Sequence, residues 1–185
     1  SSAASDVYKR QFRYALGYVD GLAREYGVER EELRAYAQTN CRGLHGIARA
    51  FDVFEHMDGR SDNGGESEAR AAMILAGVAA PELQVEITRP GNAGYYLADY
   101  GWQMPNGSWM LAELHGLGKF EDESQNDPEH TAAKTYRAAL VRDANLRAMG
   151  HNVIHFKLSD TLDVKAFGSM MRGYGIPTTK PYTDS

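Results

Sequence analysis

The sequence predicts a mixed α/β protein whose main domain has the order helix, three strands, helix, strand, helix. Apolar residues recur every three or four positions through much of the first half of the chain, a period typical of amphipathic helices. Three strand-like runs follow between residues 83 and 114, and a long helical stretch separates them from a fourth run at residues 152–158. Turn residues divide these runs, which is the pattern of a helix-flanked sheet.

The composition bounds the class of protein. The chain has 185 residues, of which 43% are hydrophobic and 24% charged, enough for one globular domain with a small attachment. A net charge of −5 gives no global sign of nucleic-acid binding, although a nuclease needs only a local basic lining. The single cysteine, Cys41, excludes an internal disulfide and favours a reducing cytoplasm. No apolar run approaches the roughly 20 residues of a membrane span, so we expect no membrane partner.

The first eleven residues contain the run DVYKRQ, which resembles an in-frame translation of a sequencing adapter. We therefore predict that residues 1–11 are an assembly scar and that the native protein begins further upstream. The alternative is a natural basic start to a helix. Either way, we exclude these residues from the functional prediction.

Residues 12–60 are predicted to form a helical prefix. Its three amphipathic helices are expected at residues 12–26, 29–39 and 44–57, on the spacing of their apolar residues. The polar, glycine-rich run DGRSDNGG at residues 58–65 is the best internal boundary.

The main domain is assigned to residues 61–173, with a loose tail at residues 174–185. Its first helix follows the boundary and carries Glu66 in its first turn, where the helix dipole favours a negative charge. The strands are predicted at residues 83–88, 94–102 and 108–114. Pro105, Asn106 and Gly107 supply turn chemistry between the last two, so we expect them to form a hairpin.

A polar loop at residues 116–127 leads into the longest predicted helix, at residues 129–149. Its apolar spacing places four residues inward: Ala133, Tyr136, Leu140 and Ala144. The fourth strand follows, and a final helix at residues 161–171 is expected to be capped by Ser159 or Asp160.

Two acids lie on the predicted hairpin. Asp99 stands near the end of one strand, and Glu113 lies inside the apolar run of the next. A carboxylate among buried neighbours costs several kcal/mol unless it is paired or bound to metal, which makes Glu113 the strongest candidate. The pair is of the type that binds Mg²⁺ or Mn²⁺.

Further polar residues are placed to assist this pair. His115 projects from the same strand face as Glu113 because residues two apart share a face, and Lys119 follows soon after. Glu66 is either a helix-terminal charge or a third acid of the site. The basic residues of the long helix, Lys134, Arg137, Arg142 and Arg147, are either a solvated face or phosphate contacts. We read His155 as an outward polar residue of an edge strand, with a nucleic-acid groove as the alternative.

The chain resembles the PD-(D/E)XK nuclease superfamily, in the branch related to very-short-patch-repair endonucleases. The resemblance covers roughly residues 64–158 and is carried, in order, by these segments: Gly65-Glu66-Ser67, Gln84-Val85, Asp99-Tyr100-Gly101-Trp102, Glu113-Leu114-His115-Gly116 with Lys119-Phe120, and Leu146-Arg147-Ala148-Met149-Gly150. It implies a restriction-endonuclease-like αβββαβ core with a mixed four-stranded sheet flanked by helices. Proteins of this branch often carry an antitoxin-like N-terminal segment before the domain.

The resemblance implies a metal-dependent endonuclease that hydrolyses DNA. Asp99 and Glu113 would bind the metal, and Glu66, His115 and Lys119 would complete the catalytic set. Lys134, Arg137 and Arg142 would contact the nucleic acid. His115 stands where this branch often has an aspartate, and a neutral imidazole suits Mn²⁺ better than Mg²⁺. The alternative is a catalytically weakened nuclease-fold module that binds DNA or a partner in a toxin-antitoxin or phage-defence protein.

Overall fold

The structure is a computed structural model that describes residues 2–115 and 128–179. It has a mixed α/β architecture with a four-stranded mixed sheet. The chain divides into two compact units, a helical unit built from residues up to Ala80 and from Thr161 onward, and a sheet unit from Pro81 to Asp160. No helix in the described part of the chain is long and apolar enough to cross a membrane.

The described residues of the helical unit form the helices α1 (Ser2–Tyr26), α2 (Arg30–Asn40), α3 (Ile47–Glu55), α4 (Gly64–Leu75) and α6 (Val164–Gly173). Its core combines residues of α1, α3 and α4. Phe12 and Leu16 of α1 are almost wholly buried there, as the helical period predicts. The helix α1 starts well before residue 12, and Tyr8 packs its ring 6.3 Å from that of Phe12.

A buried ion pair joins α1 to α4. Arg70 donates from Nη2 to both carboxylate oxygens of Asp20, at 2.9 and 2.7 Å, and from Nη1 to the carbonyl oxygen of His56 at 2.7 Å. The carboxylate of Asp20 also accepts from the amide of Asp58 at 2.8 Å. Because Asp20 is fully buried, these bonds offset the cost of desolvating its charge.

Two helix starts in this unit differ from the prediction. The helix α3 begins at Ile47, and Leu44 is 59% exposed, because Gly43 and Gly46 adopt positive φ angles that interrupt the helix. The helix α6 is capped by Asp163, whose Oδ1 accepts from the amides of Lys165 and Ala166. The predicted caps, Ser159 and Asp160, belong instead to a 3₁₀ turn at Leu158–Thr161.

The sheet unit contains β1 (Glu82–Thr88), β2 (Tyr95–Gln103), β3 (Trp109–His115), α5 (Pro128–Ala148) and β4 (Asn152–Lys157). The strands lie in the order β1-β2-β3-β4. The pairs β1/β2 and β2/β3 are antiparallel, and β3/β4 is parallel. The predicted hairpin between the second and third strands is confirmed: Gln103 pairs with Trp109, and Gly107 has a φ of 81° in the turn.

The face of α5 that packs on the sheet is not the predicted one. Tyr136 and Leu140 are 62% and 51% exposed, and Ala144 is also exposed; the side chain of Ala133 lies outside the described residues. Leu146 is buried instead, in a cluster with sheet residues that include Leu111 and Val153. The apolar residues of α5 are spread around the helix, so their spacing alone does not select the buried face.

Candidate metal and nucleic-acid site

Asp99 lies at a break in the sheet. The paired residues of β2 and β3 end at Tyr100 and Ala112, and just beyond them Asp99 Oδ2 accepts a hydrogen bond from the amide of Leu114 at 2.8 Å. In β1, Gln84 falls across from Asp99 and has a φ of 52°, a left-handed conformation that non-glycine residues seldom adopt. The carboxylate of Asp99 therefore takes a position that a backbone carbonyl would hold in a regular ladder.

Glu113 is a nearly buried carboxylate beneath α5. Its side chain is 11% exposed, and its Oε1 accepts from Nη2 of Arg142. Burial raises the pKa of the Glu113 carboxyl above its usual value, the Arg142 guanidinium opposes that rise, and the charge of Asp99 adds to it. The charge of Asp99 is thus one of the causes that raise the pKa of Glu113.

Arg142 links three parts of the sheet unit. From α5, its Nη2 reaches Glu113 of β3 and also donates to the carbonyl oxygen of Leu97 in β2 at 2.7 Å. Although burial lowers the pKa of the guanidinium, the Glu113 carboxylate holds it above the usual value. The cation therefore stays charged and compensates the buried acid.

Two histidines and a buried aspartate form a second cluster beside Glu113. The His115 and His155 rings stack with centroids 4.6 Å apart and planes 15° from parallel. Nε2 of His155 lies 2.7 Å from Oδ2 of Asp143, whose side chain is 9% exposed. In the parallel pairing of β3 and β4, His155 is the register partner of Glu113. The histidine cluster therefore lies next to the candidate carboxylate.

The bond between His155 and Asp143 was not predicted from the sequence. A signal was present: His155 lies two residues after Val153, and Asp143 lies three before Leu146, so each shares a face with a residue of the sheet core. The sequence prediction took His155 as an outward polar residue of an edge strand. His155 is instead partly buried and bonded to α5.

A cleft of about 770 Å³ in the sheet unit is lined by residues that include Glu113, Arg142, His115 and His155; Asp99 and Asp143 are not among its described lining residues. Among its described lining residues Glu113 is the one carboxylate, and the polar remainder is mainly basic: Arg89, Arg137, Arg142, His115 and His155. At the rim the Arg89 guanidinium lies 4.3 Å from the centroid of the Tyr96 ring, a cation–π contact. A cleft with this charge favours an anionic ligand.

The remaining predicted residues are placed as follows. Lys134 and Arg137 are exposed on α5, and Lys119 lies outside the described residues. Glu66 belongs to the helical unit, where its Oε1 accepts from Asn63 Nδ2 and its Oε2 from the amide of Asp62, both at 2.8 Å. Its own amide donates to Asn63 Oδ1 at 3.1 Å. These bonds make Glu66 part of a reciprocal cap at the start of α4.

The donor set fits a divalent cation only in part. Asp99 and Glu113 are oxygen ligands of the kind that Mg²⁺ takes, and Mg²⁺ needs few carboxylates because it keeps several waters. Within residues 2–115 and 128–179, however, no group of three histidine, cysteine, aspartate or glutamate side chains is arranged to hold a metal ion. The two candidate carboxylates of the described part of the chain are therefore Asp99 and Glu113.

Comparisons with known proteins identify distant relatives. Two uncharacterized proteins of Mycobacterium tuberculosis, from strains CDC 1551 / Oshkosh and ATCC 25618 / H37Rv, are each 35% identical to the chain over 88 residues. The match covers 48% of this chain and 32% of each relative. No family model matches the chain, and no solved structure matches it. The chain is thus similar, over about a third of their length, to two proteins of unassigned activity.

Proposed function

We propose that the protein is a Mg²⁺- or Mn²⁺-dependent endonuclease of the PD-(D/E)XK type that hydrolyses DNA phosphodiester bonds in the cytoplasm. One observation carries the proposal: a nearly buried carboxylate, Glu113, opens on a cleft whose other charged lining residues are basic. A buried acid is costly to maintain, and a basic wall beside it suits a phosphate that must approach a cation. The motif order described above supports the same reading.

In this proposal Asp99 and Glu113 hold the cation, which supplies an activated water and neutralises charge on the phosphate. The carboxylate of Asp99 accepts from the Leu114 amide, and that of Glu113 is bonded to Arg142 in the structure. The exposed His115 ring, stacked on His155, is assigned to phosphate binding or proton transfer.

The other predicted residues have supporting roles in the proposal. Arg137 and Lys134 contact the phosphate backbone from the exposed side of α5. Glu66 and Lys119 are retained as members of the catalytic set on the resemblance alone. Because an imidazole at residue 115 suits Mn²⁺ better than Mg²⁺, we expect higher activity with Mn²⁺.

The test is nicking of supercoiled plasmid by the purified chain in Mg²⁺ or Mn²⁺. We expect Glu113→Gln and Asp99→Asn to lose at least roughly 100-fold in rate, the scale of removing one preorganised electrostatic contact in an active site. Glu86→Gln is the matched control, because Glu86 is an exposed acid of the same sheet. Equal nicking by wild type and Glu113→Gln, with both proteins folded, would contradict the catalytic proposal.

A second candidate function is a nuclease-fold module that binds DNA or a partner, in a toxin-antitoxin or phage-defence protein, without cutting DNA. It is favoured by His115, which stands where the branch related to very-short-patch-repair endonucleases often has an aspartate, and by the bond of Arg142 to Glu113, which occupies one of the two candidate carboxylates. This module would bind duplex DNA in EDTA and show no metal-dependent nicking. Loss of binding in Arg137→Gln and Lys134→Gln, without any cleavage by wild type, would support it over the enzyme.

A further inference from the structure

Arg142 occupies the carboxylate that the proposed cation needs. Its Nη2 bonds to Glu113 Oε1 and also to the Leu97 carbonyl oxygen. We infer, on the basis of the proposed function, that Arg142 and a divalent cation compete for Glu113, and that the arginine displaced by the cation becomes a phosphate contact for the nucleic acid. The residue is then a switch between a metal-free and a substrate-binding state.

The competition follows from charge. A cation at Glu113 would stand beside a guanidinium that is already bonded to the same carboxylate, and two positive charges a few ångströms apart repel each other. Conversely, Glu113 without either partner would be a buried, uncompensated charge. The favourable state is therefore one in which Glu113 binds one positive group at a time. In the absence of metal that group is the Arg142 guanidinium.

The cleft is the place into which a displaced Arg142 side chain can move. The side chain of Arg142 is 25% exposed and lines the cleft. Arg137, five residues earlier in α5, also lines it. Because Glu113 is the one carboxylate among the described lining residues, a released guanidinium there faces basic neighbours and gains most from an incoming anion. A planar guanidinium binds phosphate oxygens through two parallel donors.

Competition of this kind couples two binding events. A phosphate that holds Arg142 away from Glu113 favours metal binding, and a metal that displaces Arg142 favours phosphate binding. By linkage the two factors are equal. Metal and DNA are thus expected to bind with positive cooperativity that depends on Arg142 and not on Arg137.

The first experiment is calorimetric titration of Mn²⁺ into wild type, Arg142→Gln, Arg137→Gln and Glu113→Gln. We expect Arg142→Gln to bind Mn²⁺ about 5- to 50-fold more tightly than wild type, within the usual range of coupling energies. Arg137→Gln, on the same helix and cleft, should change the Mn²⁺ affinity much less than Arg142→Gln does, because it is Arg142 that is bonded to Glu113, and Glu113→Gln should lose the site. Thermal unfolding of each variant with and without Mn²⁺ provides a readout that does not depend on activity, and Mn²⁺ should raise the Tm of Arg142→Gln most.

The second experiment measures binding of a short DNA duplex by fluorescence anisotropy in EDTA and in Ca²⁺, another cation that prefers oxygen ligands. Ca²⁺ should strengthen DNA binding by wild type and Arg137→Gln more than by Arg142→Gln. Mn²⁺ binding that depends on Glu113 but is unchanged in Arg142→Gln would overturn the switch while leaving the metal site intact. Absence of any Glu113-dependent Mn²⁺ binding, in wild type and in Arg142→Gln, would overturn both the switch and the metal-dependent function.

Discussion

Nε2 of His155 lies 2.7 Å from Oδ2 of the buried Asp143, and this bond fixes a ring of β4 against helix α5. The same ring stacks on His115 of β3. Among the described residues, Oδ1 of Asp143 and Nδ1 of His155 are buried without a hydrogen-bond partner. The bond between these two side chains, together with the ion pair of Arg147 Nη2 to Asp143 Oδ2 at 3.6 Å, compensates for burying the aspartate.

We predict that Asp143→Asn lowers the free energy of unfolding by about 1 kcal/mol, because asparagine keeps an oxygen acceptor for His155 but replaces a hydrogen bond to a charged group (about 1.5–3 kcal/mol) by a neutral one (about 0.5–1.5 kcal/mol). His155→Gln should cost a similar amount, and urea denaturation of both single variants and the double variant gives a coupling energy. The exposed Arg137→Gln should change stability by no more than about 0.5 kcal/mol. Strictly additive effects of Asp143→Asn and His155→Gln would show that the bond does not contribute.

The bond between Asp99 and the Leu114 amide separates two roles of this acid. Asparagine at residue 99 keeps a side-chain oxygen for the amide of Leu114 but removes the charge that a cation needs. We therefore expect Asp99→Asn to lose Mn²⁺ binding while keeping stability within about 1 kcal/mol of wild type, since the hydrogen bond survives.

Asp99→Ala is the comparison, because it removes both the charge and the acceptor. It leaves the Leu114 amide without its side-chain partner, and we expect a loss of about 1–3 kcal/mol in urea denaturation. If Asp99→Asn destabilises the protein as much as Asp99→Ala does, the charge and not the hydrogen bond holds this end of the hairpin.

The hairpin was predictable because its signals are local. Strand-like runs lie at residues 94–102 and 108–114, and Asn106-Gly107 marks the turn between them, so the runs and the turn chemistry point to the same pairing. The position of Glu113 beside other buried residues follows from the same pattern. These features need no knowledge of which elements meet.

The contacts of Glu113 and His155 were not predictable in the same way. Both are bonded to α5, by contacts that span 29 residues for Glu113 and 12 for His155, and which side of α5 meets the sheet depends on tertiary packing that local propensity does not determine. The exposed Tyr136 and Leu140 carry the apolar spacing, whereas the charged Arg142 and Asp143 lie against the sheet. Hydrophobic periodicity fails where a helix presents polar side chains to a site.

His56 predicts a pH dependence of stability. Burial lowers the pKa of His56, and the nearby charge of Arg70 lowers it further. The unfolded chain therefore binds a proton at a higher pH than the folded chain does. Stability from the neutral ring is fully present above the unfolded pKa of about 6.5 and is lost as the pH falls below it, toward the folded pKa.

We expect the midpoint of urea unfolding to fall between pH 7 and pH 5 in wild type, and to fall less in His56→Gln, which cannot take up that proton. His45→Gln is the control because His45 is exposed in the same unit. Identical pH profiles for wild type and His56→Gln would mean that burial of this ring does not set the acid sensitivity.

Gly101 is predicted to be required for the packing beside Asp99. A Cβ at this position would lie 2.8 Å from Cγ2 of Val85 and 3.1 Å from Cε3 of Trp109, closer than van der Waals contact allows. Because Val85 belongs to the sheet core, Gly101→Ala should cost about 1–3 kcal/mol, the range for overpacking. Gly64→Ala, in the first turn of α4 with no atom within 4 Å of the added Cβ, should instead leave stability unchanged or raise it by about 0.5–1 kcal/mol. Equal unfolding midpoints for Gly101→Ala and wild type would show that β2 can shift without cost at the point where it presents Asp99.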